Sequence, residues 1–532
     1  MLKIYSISCQ RIAFIKCLFR TLFTAMFVIL ISCSKDHRNE REPNTFVFVT
    51  YDDVKDWDPG TAFSLEVLPL SNMYELLLWY DATGDDPVFI PGLATSYKQS
   101  PDGLQWTFQL RKKVKFHDGE DFNAEAVKFV VERNKSLGRG ASYIWNVVRD
   151  VRIDNSHQVT FILNEPAPLD RIVSSQYGAW MYSPKITDIP EDSLRNGYDG
   201  GTGPYRLKKW IRNGEIRLEK FDEYWRGWTL QNAFSNVNIR VVSEASTRIQ
   251  MIKNNQADYV TQIPIQLLSS LQDVKDVKVE ILPGWVNHFY LLNTKKYPTN
   301  DINVRRAIAA AFDRESILRY VYKDVATRPV GFIPATVPLA SSPDSLIEFD
   351  LNYAKHLLNK ADLPDESPEI IFSYVATSEE YHLTSLMLLD NLRKIGINMR
   401  IQPGLWSAIW EKAKYIDTAP NIISMAWWPA YASPSDWLYG LYYTQNPPLF
   451  NLAHYSNPVM DSLIAEAWKN EAFHPKNAQN IYKEIQNILI EDCVAIPVAD
   501  LQIWAVYNSK IHGIRGNPAY NTLLFYNLAR SG

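Results

Sequence analysis

The stretch of residues 94–133 restricts the fold of this 532-residue chain more than any other segment. Residues 101–103 (PDG) form a tight-turn sequence, and residues 106–110 (WTFQL) alternate large apolar with polar side chains, as a strand with one buried face does. Residues 117–119 (HDG) supply a second turn. Asn123 precedes residues 124–133, where valines recur at helical spacing, so it is placed to cap a helix. The stretch therefore predicts a β-hairpin followed by an amphipathic helix.

Length and composition indicate a large globular protein. A chain of 532 residues exceeds one ordinary domain of roughly 100–200 residues, so two or three lobes are expected. Hydrophobic residues make up 46% of the chain and charged residues 21%, which allows a sizeable core. Aromatic residues reach 13%. That content fits either a large core or an adaptable pocket lined with rings, and composition alone leaves both open.

The N-terminus has the pattern of an export signal. Four cationic residues and no acidic residue lie in residues 1–20, and residues 21–31 (TLFTAMFVILI) form an apolar run. That run fits the hydrophobic part of a signal peptide and is short for a membrane span, which needs about 20 residues. Residues 30–33 (LISC) resemble a bacterial lipobox, which implies that Cys33 carries lipid. We therefore predict a signal peptide over residues 1–32 and a polar tether over residues 33–43.

Charge and cysteine content argue against a nucleic-acid-binding protein and against a disulfide-linked fold. Loss of residues 1–32 would change the net charge from −4 to −8, because four positive charges leave with them. Nucleic-acid binding, which requires a basic face, is not expected. Cys9 and Cys17 would leave with the signal and Cys33 would carry lipid, so Cys493 has no partner for an intrachain disulfide. We interpret Cys493 as a core thiol.

Several segments are similar to the signature motifs of family 5 bacterial extracellular solute-binding proteins, the oligopeptide-, dipeptide- and nickel-binding components of ABC importers. Residues 94–127 resemble the longest of these motifs, although Ala126 stands where the family usually has aspartate. The resemblance covers nearly everything from about residue 45 onward. The other matching segments include residues 201–205 (GTGPY), 224–227 (YWRG), 301–308 (DINVRRAI) and 455–461 (YSNPVMD). In residues 201–205, Gly201 and Gly203 are expected to adopt backbone angles that only glycine accepts.

The resemblance implies an α/β fold of the type II periplasmic-binding-protein kind: a clamp of two main lobes with an extra α/β lobe. Lobe I is expected to comprise residues 44–75, 200–283 and 502–532. The extra lobe, lobe II, comprises residues 76–199, and lobe III comprises residues 284–501. The ligand would lie in the cleft between the main lobes, which close on it by a hinge motion.

The ligand site is expected around residues 427–436 (WWPAYASPSD). Peptide-binding relatives have a Trp-x-x-Asp-x-x-x-Pro motif there, and their aspartate pairs with the free amino group of the peptide. Aligning Trp427 and Pro434 with that motif puts Ala430 in the place of the aspartate. Either Asp436 substitutes from another direction, or the ligand has no conventional free amine at this point. Asp436 as an ordinary residue of a helix N-terminus is a further interpretation.

Other candidate ligand-binding residues are aromatic or polar. Trp428 and Tyr431 flank Ala430, and Trp285 and Asn287 lie where the chain should cross between lobes. Arg328 could pair bidentately with a ligand carboxylate. Each of these positions also has a plainer interpretation, in which the ring lies in the core or the guanidinium pairs with a surface acid.

Catalysis is not expected, because the sequence has no Gly-x-Ser-x-Gly, phosphate-loop or His-Glu-x-x-His motif. No cofactor or protein metal site is predicted. The resemblance implies a periplasmic or extracytoplasmic monomer, tethered to a bilayer through Cys33, that captures an oligopeptide or peptide-like solute for an ABC permease. Receptors for nickel complexes or other small solutes, and an adhesin-like surface lipoprotein, remain alternatives.

Overall fold

The computed structural model describes residues 44–531 except residues 85, 195, 232, 362 and 364–368. The predicted signal peptide and tether, including Cys33, lie outside the described residues. From Phe46 onward the chain forms one compact unit. Among the described residues, no helix is both long enough and apolar enough to cross a membrane.

The strands in the described part of the chain are numbered in chain order. They are β1 Thr45–Thr50, β2 Leu78–Asp81, β3 Val88–Pro91, β4 Ala94–Gln99, β5 Gln105–Leu110, β6 Val148–Asn155, β7 Gln158–Leu163, β8 Tyr205–Ile211, β9 Glu215–Lys220, β10 Asn236–Val241, β11 Tyr259–Val260, β12 Val277–Leu292, β13 Ala326–Thr327, β14 Glu369–Val375, β15 Asn398–Gly404, β16 Ile422–Trp427, β17 Ala495–Asn508, β18 Ile511–His512 and β19 Ala529–Arg530.

The α-helices are numbered in the same way. They are α1 Val67–Met73, α2 Ala124–Leu137, α3 Leu169–Ile172, α4 Glu191–Leu194, α5 Ala245–Lys253, α6 Ile265–Gln272, α7 Ile302–Ala310, α8 Arg314–Ile317, α9 Leu351–Leu358, α10 Glu379–Lys394, α11 Trp406–Ala413, α12 Pro434–Leu441, α13 Pro458–Glu471 and α14 Pro475–Asp492.

The hairpin and helix predicted from residues 94–133 are present. In β5 the alternating residues Trp106, Phe108 and Leu110 are buried, and β4, β5, β7 and β6 form a four-stranded sheet in that order. Asn123 caps α2, because its side-chain oxygen accepts a hydrogen bond of 3.1 Å from the Ala126 N–H. Both predictions rest on short-range patterns, and both are confirmed.

The main sheet has eleven strands and runs through both predicted main lobes. Its order is β15-β14-β16-β12-β17-β11-β1-β10-β9-β8, with β13 paired to β17. Both faces of the sheet are covered. In β1, Phe46 and Phe48 belong to one apolar core, whereas Val47 and Val49 belong to a second core. A strand buried on both faces is typical of α/β architecture.

Two long strands, β12 and β17, connect the two halves of the main sheet. They pair antiparallel from Val277 opposite Asn508 to Leu291 opposite Ala495. At one end β17 pairs with β11, and at the other β12 pairs with β16. The register shifts between Leu282 and Val286, so the ladder is interrupted at the point where the strands pass from one half to the other. The predicted lobe boundaries at 283/284 and 501/502 fall at this interruption, and the division into three lobes stays a prediction.

Gly201 and Gly203 are required for a different reason from the one predicted. Both precede β8, yet neither has a positive φ. A Cβ atom on Gly201 would clash with the carbonyl oxygen of Met73, the last residue of α1, and one on Gly203 would lie 2.7 Å from the Met73 carbonyl carbon. Close approach of two backbones therefore excludes a side chain here, and the expectation of a special backbone angle is wrong.

Candidate functional site

The segment of residues 427–436 lies between a strand and a helix in the range predicted as lobe III; the lobe names below refer to the predicted ranges. Trp427 ends β16, and Ser433 caps α12 by accepting a hydrogen bond of 3.0 Å from the Ser435 N–H. Pro434 occupies the first turn of that helix, where its missing N–H is not needed. The loop is therefore fixed at both ends by strand pairing and by a capped helix.

Asp436 is the buried carboxylate of this segment. Its Oδ2 accepts hydrogen bonds of 3.0 Å from the Trp427 indole N–H and 3.0 Å from the backbone N–H of Ala430. The side chain thus reaches back to position 430, where the relatives' motif has its aspartate. Burial raises the pKa of Asp436 to about 7, against the lowering effect of the three hydrogen bonds. Among the described residues, no lysine or arginine forms an ion pair with it.

Lobe II contacts this segment at three places. The Tyr143 hydroxyl donates to Oδ1 of Asp436 at 3.4 Å. Ser175 Oγ donates to the Ala430 carbonyl at 2.7 Å, and the Trp428 indole N–H donates to the Tyr177 hydroxyl at 2.7 Å. Residues 427–436 therefore form one side of an interface whose other side belongs to the range predicted as lobe II.

The three predicted aromatic residues of this segment have different surroundings. Trp427 is buried and packs edge-on against Phe450, with the ring centroids 5.1 Å apart. Tyr431 is also buried and packs edge-on against Trp468 at 5.5 Å. Trp428 is 38% exposed, and its indole bonds across to lobe II. Of the three, Trp428 bonds directly across to residues 76–199, whereas the ring partners of Trp427 and Tyr431 lie within lobe III, and contact of all three with ligand remains a prediction.

A buried ion pair joins lobes II and III beside this segment. Arg171 donates to Glu471 at 2.9 Å, and the Glu471 side chain is fully buried. The other carboxylate oxygen of Glu471 accepts from the hydroxyls of Ser433 and Tyr482. Since each oxygen of this carboxylate has a partner, the pair satisfies the conditions under which a buried charge is tolerated.

Four residues form a row across the sheet next to Asp436. Trp427 in β16 lies opposite Asn287 in β12, Asn287 lies opposite Asp500 in β17, and Asp500 lies opposite Thr327 in β13. Residues that lie opposite each other share a face of the sheet. Asn287 is buried; its side chain donates to the Phe332 carbonyl at 2.7 Å and accepts from the Trp437 indole at 2.9 Å.

Asp500 is the second acid on this face. Its Oδ1 atom is buried and has no hydrogen-bond partner among the described residues. Burial raises the pKa of Asp500 to about 7. Trp285, two residues before Asn287 on β12, is 2% exposed, and its ring centroid lies 6.3 Å from that of Tyr80 in lobe II. This region of the sheet therefore adjoins the extra lobe.

Arg328 is not brought together with the other candidates. Its guanidinium is exposed and pairs with Glu315 and, at 2.7 Å, with Glu348. Both partners are surface acids, as expected from the plainer interpretation, in which the guanidinium pairs with a surface acid. A role for Arg328 in binding a ligand carboxylate stays a prediction.

Sequence reasoning missed the residues of lobe II and the far end of lobe III. No local motif marks them, because each gains its significance from contacts between segments far apart in the chain. For Ser175 and Ala430 the separation is 255 residues. The missed residues are Tyr143, Arg171, Ser175, Gln176, Tyr177, Glu471 and Asp500.

The residues of this interface do not resemble a metal centre. Within the described ranges, no group of three or more histidine, cysteine, aspartate or glutamate side chains could hold a metal ion. Cys493, interpreted as a core thiol, is buried, and burial raises its pKa to about 12. It is therefore protonated at neutral pH.

Comparison with known proteins shows the family. The profile of "Bacterial extracellular solute-binding proteins, family 5 Middle" matches residues 88–448. The glutathione-binding protein GsiB of Salmonella choleraesuis is 28% identical over 435 residues, which cover 79% of this chain and 82% of that protein. Such relatives are binding proteins, so the prediction of a binding protein rather than an enzyme is confirmed.

Two solved structures show the fold. The periplasmic binding protein DppA of Helicobacter pylori, in complex with the peptide STSA, has a TM-score of 0.80 at 22% identity and covers 91% of this chain and 98% of its own. NikZ of Campylobacter jejuni, in complex with Ni(L-His), has a TM-score of 0.79 at 19% identity and covers 92% of this chain and 100% of its own. The predicted α/β clamp is confirmed. With a family profile matched over most of its length, this chain belongs to family 5 of the bacterial extracellular solute-binding proteins.

Proposed function

We propose that this chain captures oligopeptides or peptide-like solutes outside the cytoplasm and delivers them to the permease of an ABC importer. In this proposal the protein acts as a monomer, and lipid on Cys33 holds it at a bacterial membrane. Several acyl chains on one cysteine suffice for such an anchor, since each buried methylene contributes about 0.8 kcal/mol. The ligand would bind in the cleft between the main lobes, where the 427–436 segment faces lobe II, the extra lobe whose sequence is inserted in lobe I.

The observation that carries the proposal is the position of the Asp436 carboxylate. It lies against the backbone N–H of Ala430, at 3.0 Å, and so occupies the neighbourhood of the aspartate found in peptide-binding relatives. Burial raises its pKa, which means that the site disfavours an unpaired negative charge. A ligand ammonium would remove that penalty through a charge-assisted hydrogen bond. Asp436 therefore replaces the missing acid at position 430 from the next helix.

Aromatic side chains support a peptide-like ligand as well. Trp428 and Trp285 contact residues of lobe II, and Tyr431 belongs to the same segment as Trp428. Rings offer large contact areas at low cost in conformational entropy, so they suit ligands that vary in their side chains. Of the relatives, GsiB binds glutathione and DppA binds the peptide STSA, and both ligands carry a free amino group.

Tryptophan fluorescence can test this function directly. The purified protein is titrated with an equimolar tripeptide library, with the same library N-acetylated, with reduced glutathione, and with nickel and histidine together. We expect a saturable change with the free-amine peptides or glutathione and at least tenfold weaker binding after acetylation. Asp436→Asn should abolish that preference, while Asp222→Asn, which changes an exposed acid, should retain it.

Three results would contradict the proposal. A response to nickel with histidine alone would favour the nickel alternative. Equal binding of acetylated and free peptides would remove the role of Asp436. No response to any of these solutes, together with attachment to host surfaces, would favour the adhesin-like alternative.

A further inference from the structure

Gln176 is a buried amide without hydrogen-bond partners. The residue is 2% exposed. Both its side-chain oxygen and its side-chain nitrogen are buried, and neither has a partner among the described residues. Native proteins pair nearly all their buried polar atoms, because an unpaired amide loses its hydration without compensation. An amide with both ends unpaired therefore calls for a partner that the chain itself does not supply.

The neighbours of Gln176 fix its place at the interface between lobes II and III. Ser175 donates to the Ala430 carbonyl at 2.7 Å, and Tyr177 accepts from the Trp428 indole at 2.7 Å. Ser174, before them, accepts a hydrogen bond of 2.9 Å from the Tyr520 hydroxyl through its carbonyl. The side chains on both sides of Gln176 are therefore bonded to the segment that ends in Asp436, and Gln176 lies on the side of the interface opposite that segment.

A side-chain amide has one clear chemical complement. It presents a carbonyl acceptor and an N–H donor side by side in one plane. In an extended peptide the N–H and the carbonyl of one residue lie on the same side of the backbone and can pair with both, whereas those of a single trans peptide group point in opposite directions. A carboxylate would satisfy only the donor, and an ammonium only the acceptor.

We propose that Gln176 binds the backbone of one extended ligand residue, with Nε2 donating to the carbonyl of that residue and Oε1 accepting from its N–H. This inference rests on the proposed function and narrows it. Asp436 would bind the ligand's amino group from lobe III, and Gln176 would recognise a backbone amide from lobe II. The site then selects molecules in which an amine and an amide occur together. A metal–amino acid complex contains no peptide group and would not offer this pairing.

The test exchanges one atom of the ligand and one side chain of the protein. A tripeptide that the protein selects from the equimolar library is resynthesised in two forms, each with one amide replaced by an ester. We expect the wild-type protein to bind one of these esters about tenfold more weakly, as the loss of one buried hydrogen bond predicts. Gln176→Met, which keeps the length of the side chain, should bind that ester and the parent peptide equally well.

A second readout separates binding from structure. Because Gln176→Met removes a buried unpaired amide, the ligand-free variant should melt at the same temperature as the wild type or above it. Gln256→Met, at an exposed position, is the control and should change neither affinity nor melting temperature. Gln176→Leu provides a second apolar variant if methionine packs poorly.

Each contrary result has a distinct meaning. If the wild-type protein binds no tripeptide, the proposed function fails. If it binds the tripeptide and both esters equally, or if Gln176→Met retains the preference for amide, the role of Gln176 is refuted while the function stands. A drop in ligand-free melting temperature with both apolar variants would show that Gln176 is structural, and would also refute the proposal.

Discussion

Replacing Asp436 with asparagine should stabilise the protein at alkaline pH. Both strong hydrogen bonds to Asp436 end on the same oxygen, Oδ2, from Trp427 and from Ala430. The single carbonyl oxygen of asparagine can accept both. Its NH₂ group then faces the Tyr143 hydroxyl, which lies 3.4 Å from the other oxygen and can accept. The variant therefore retains the hydrogen-bond network and loses only the charge.

The pKa of Asp436 sets the size and sign of this effect. Burial raises it from 3.8 to about 7 in the folded protein. Between these values the folded state keeps a proton that the unfolded state releases, so the free energy of unfolding falls as the pH rises. At 1.36 kcal/mol per pKa unit, the full penalty is about 4 kcal/mol and is complete above about pH 8. Asp436→Asn does not suffer this penalty.

Urea unfolding, followed by tryptophan fluorescence between pH 4.5 and 8.5, measures the prediction on ligand-free protein. The two proteins should be similar near pH 4.5, and the variant should be more stable by up to about 4 kcal/mol at pH 8.5. The pKa of Asp500 is also raised to about 7, so this residue makes the free energy of unfolding fall with rising pH to a similar extent in the wild type and in Asp436→Asn. Asp222→Asn should follow the wild type. Parallel curves for wild type and Asp436→Asn across this range would refute the reasoning.

Three other variants test separate parts of the molecule. Glu471→Gln removes the charged partner of the buried Arg171 guanidinium. Urea unfolding should therefore show that the free energy of unfolding falls by about 3–5 kcal/mol. An unchanged unfolding midpoint would mean that the ion pair does not form. Trp427→Ala combined with Tyr431→Ala removes two rings from the interface and should weaken ligand binding more than tenfold, measured by calorimetry below the unfolding transition. Unchanged affinity would move the site elsewhere. Cys33→Ala should shift the protein from the detergent phase to the aqueous phase in Triton X-114 partitioning, and retention in detergent would exclude Cys33 as the anchor.

Local patterns predicted the elements whose causes are local. The turn at residues 101–103, the alternation through β5 and the cap at Asn123 each depend on residues a few positions apart, and the structure contains all three. The glycines before β8 show the limit of such reasoning. The motif predicts a backbone angle at Gly201 that only glycine accepts, but the actual reason for the glycine is the backbone of Met73, which no pattern near Gly201 reveals.

The candidate site likewise contains residues that a local pattern predicts and residues that it does not. Trp427 and Asp436 lie nine residues apart, so a motif with one displaced acid was enough to bring both into consideration. The position of the Asp436 carboxylate against Ala430 could not be predicted, because it depends on how the loop between β16 and α12 turns. Gln176 and Asp500 carry no sequence signal. Their importance follows from buried atoms without partners, which only packing across the whole chain can reveal.

Native mass spectrometry of the protein purified from its own host tests the central claim most directly. The measurement gives the mass of whatever the protein retains, and fragmentation identifies it. Our account predicts a peptide or peptide-like molecule with a free amine and at least one amide, carried by the wild type and by Asp222→Asn but much reduced on Asp436→Asn. A nickel isotope pattern, or a retained solute without an amine and an amide, would contradict it.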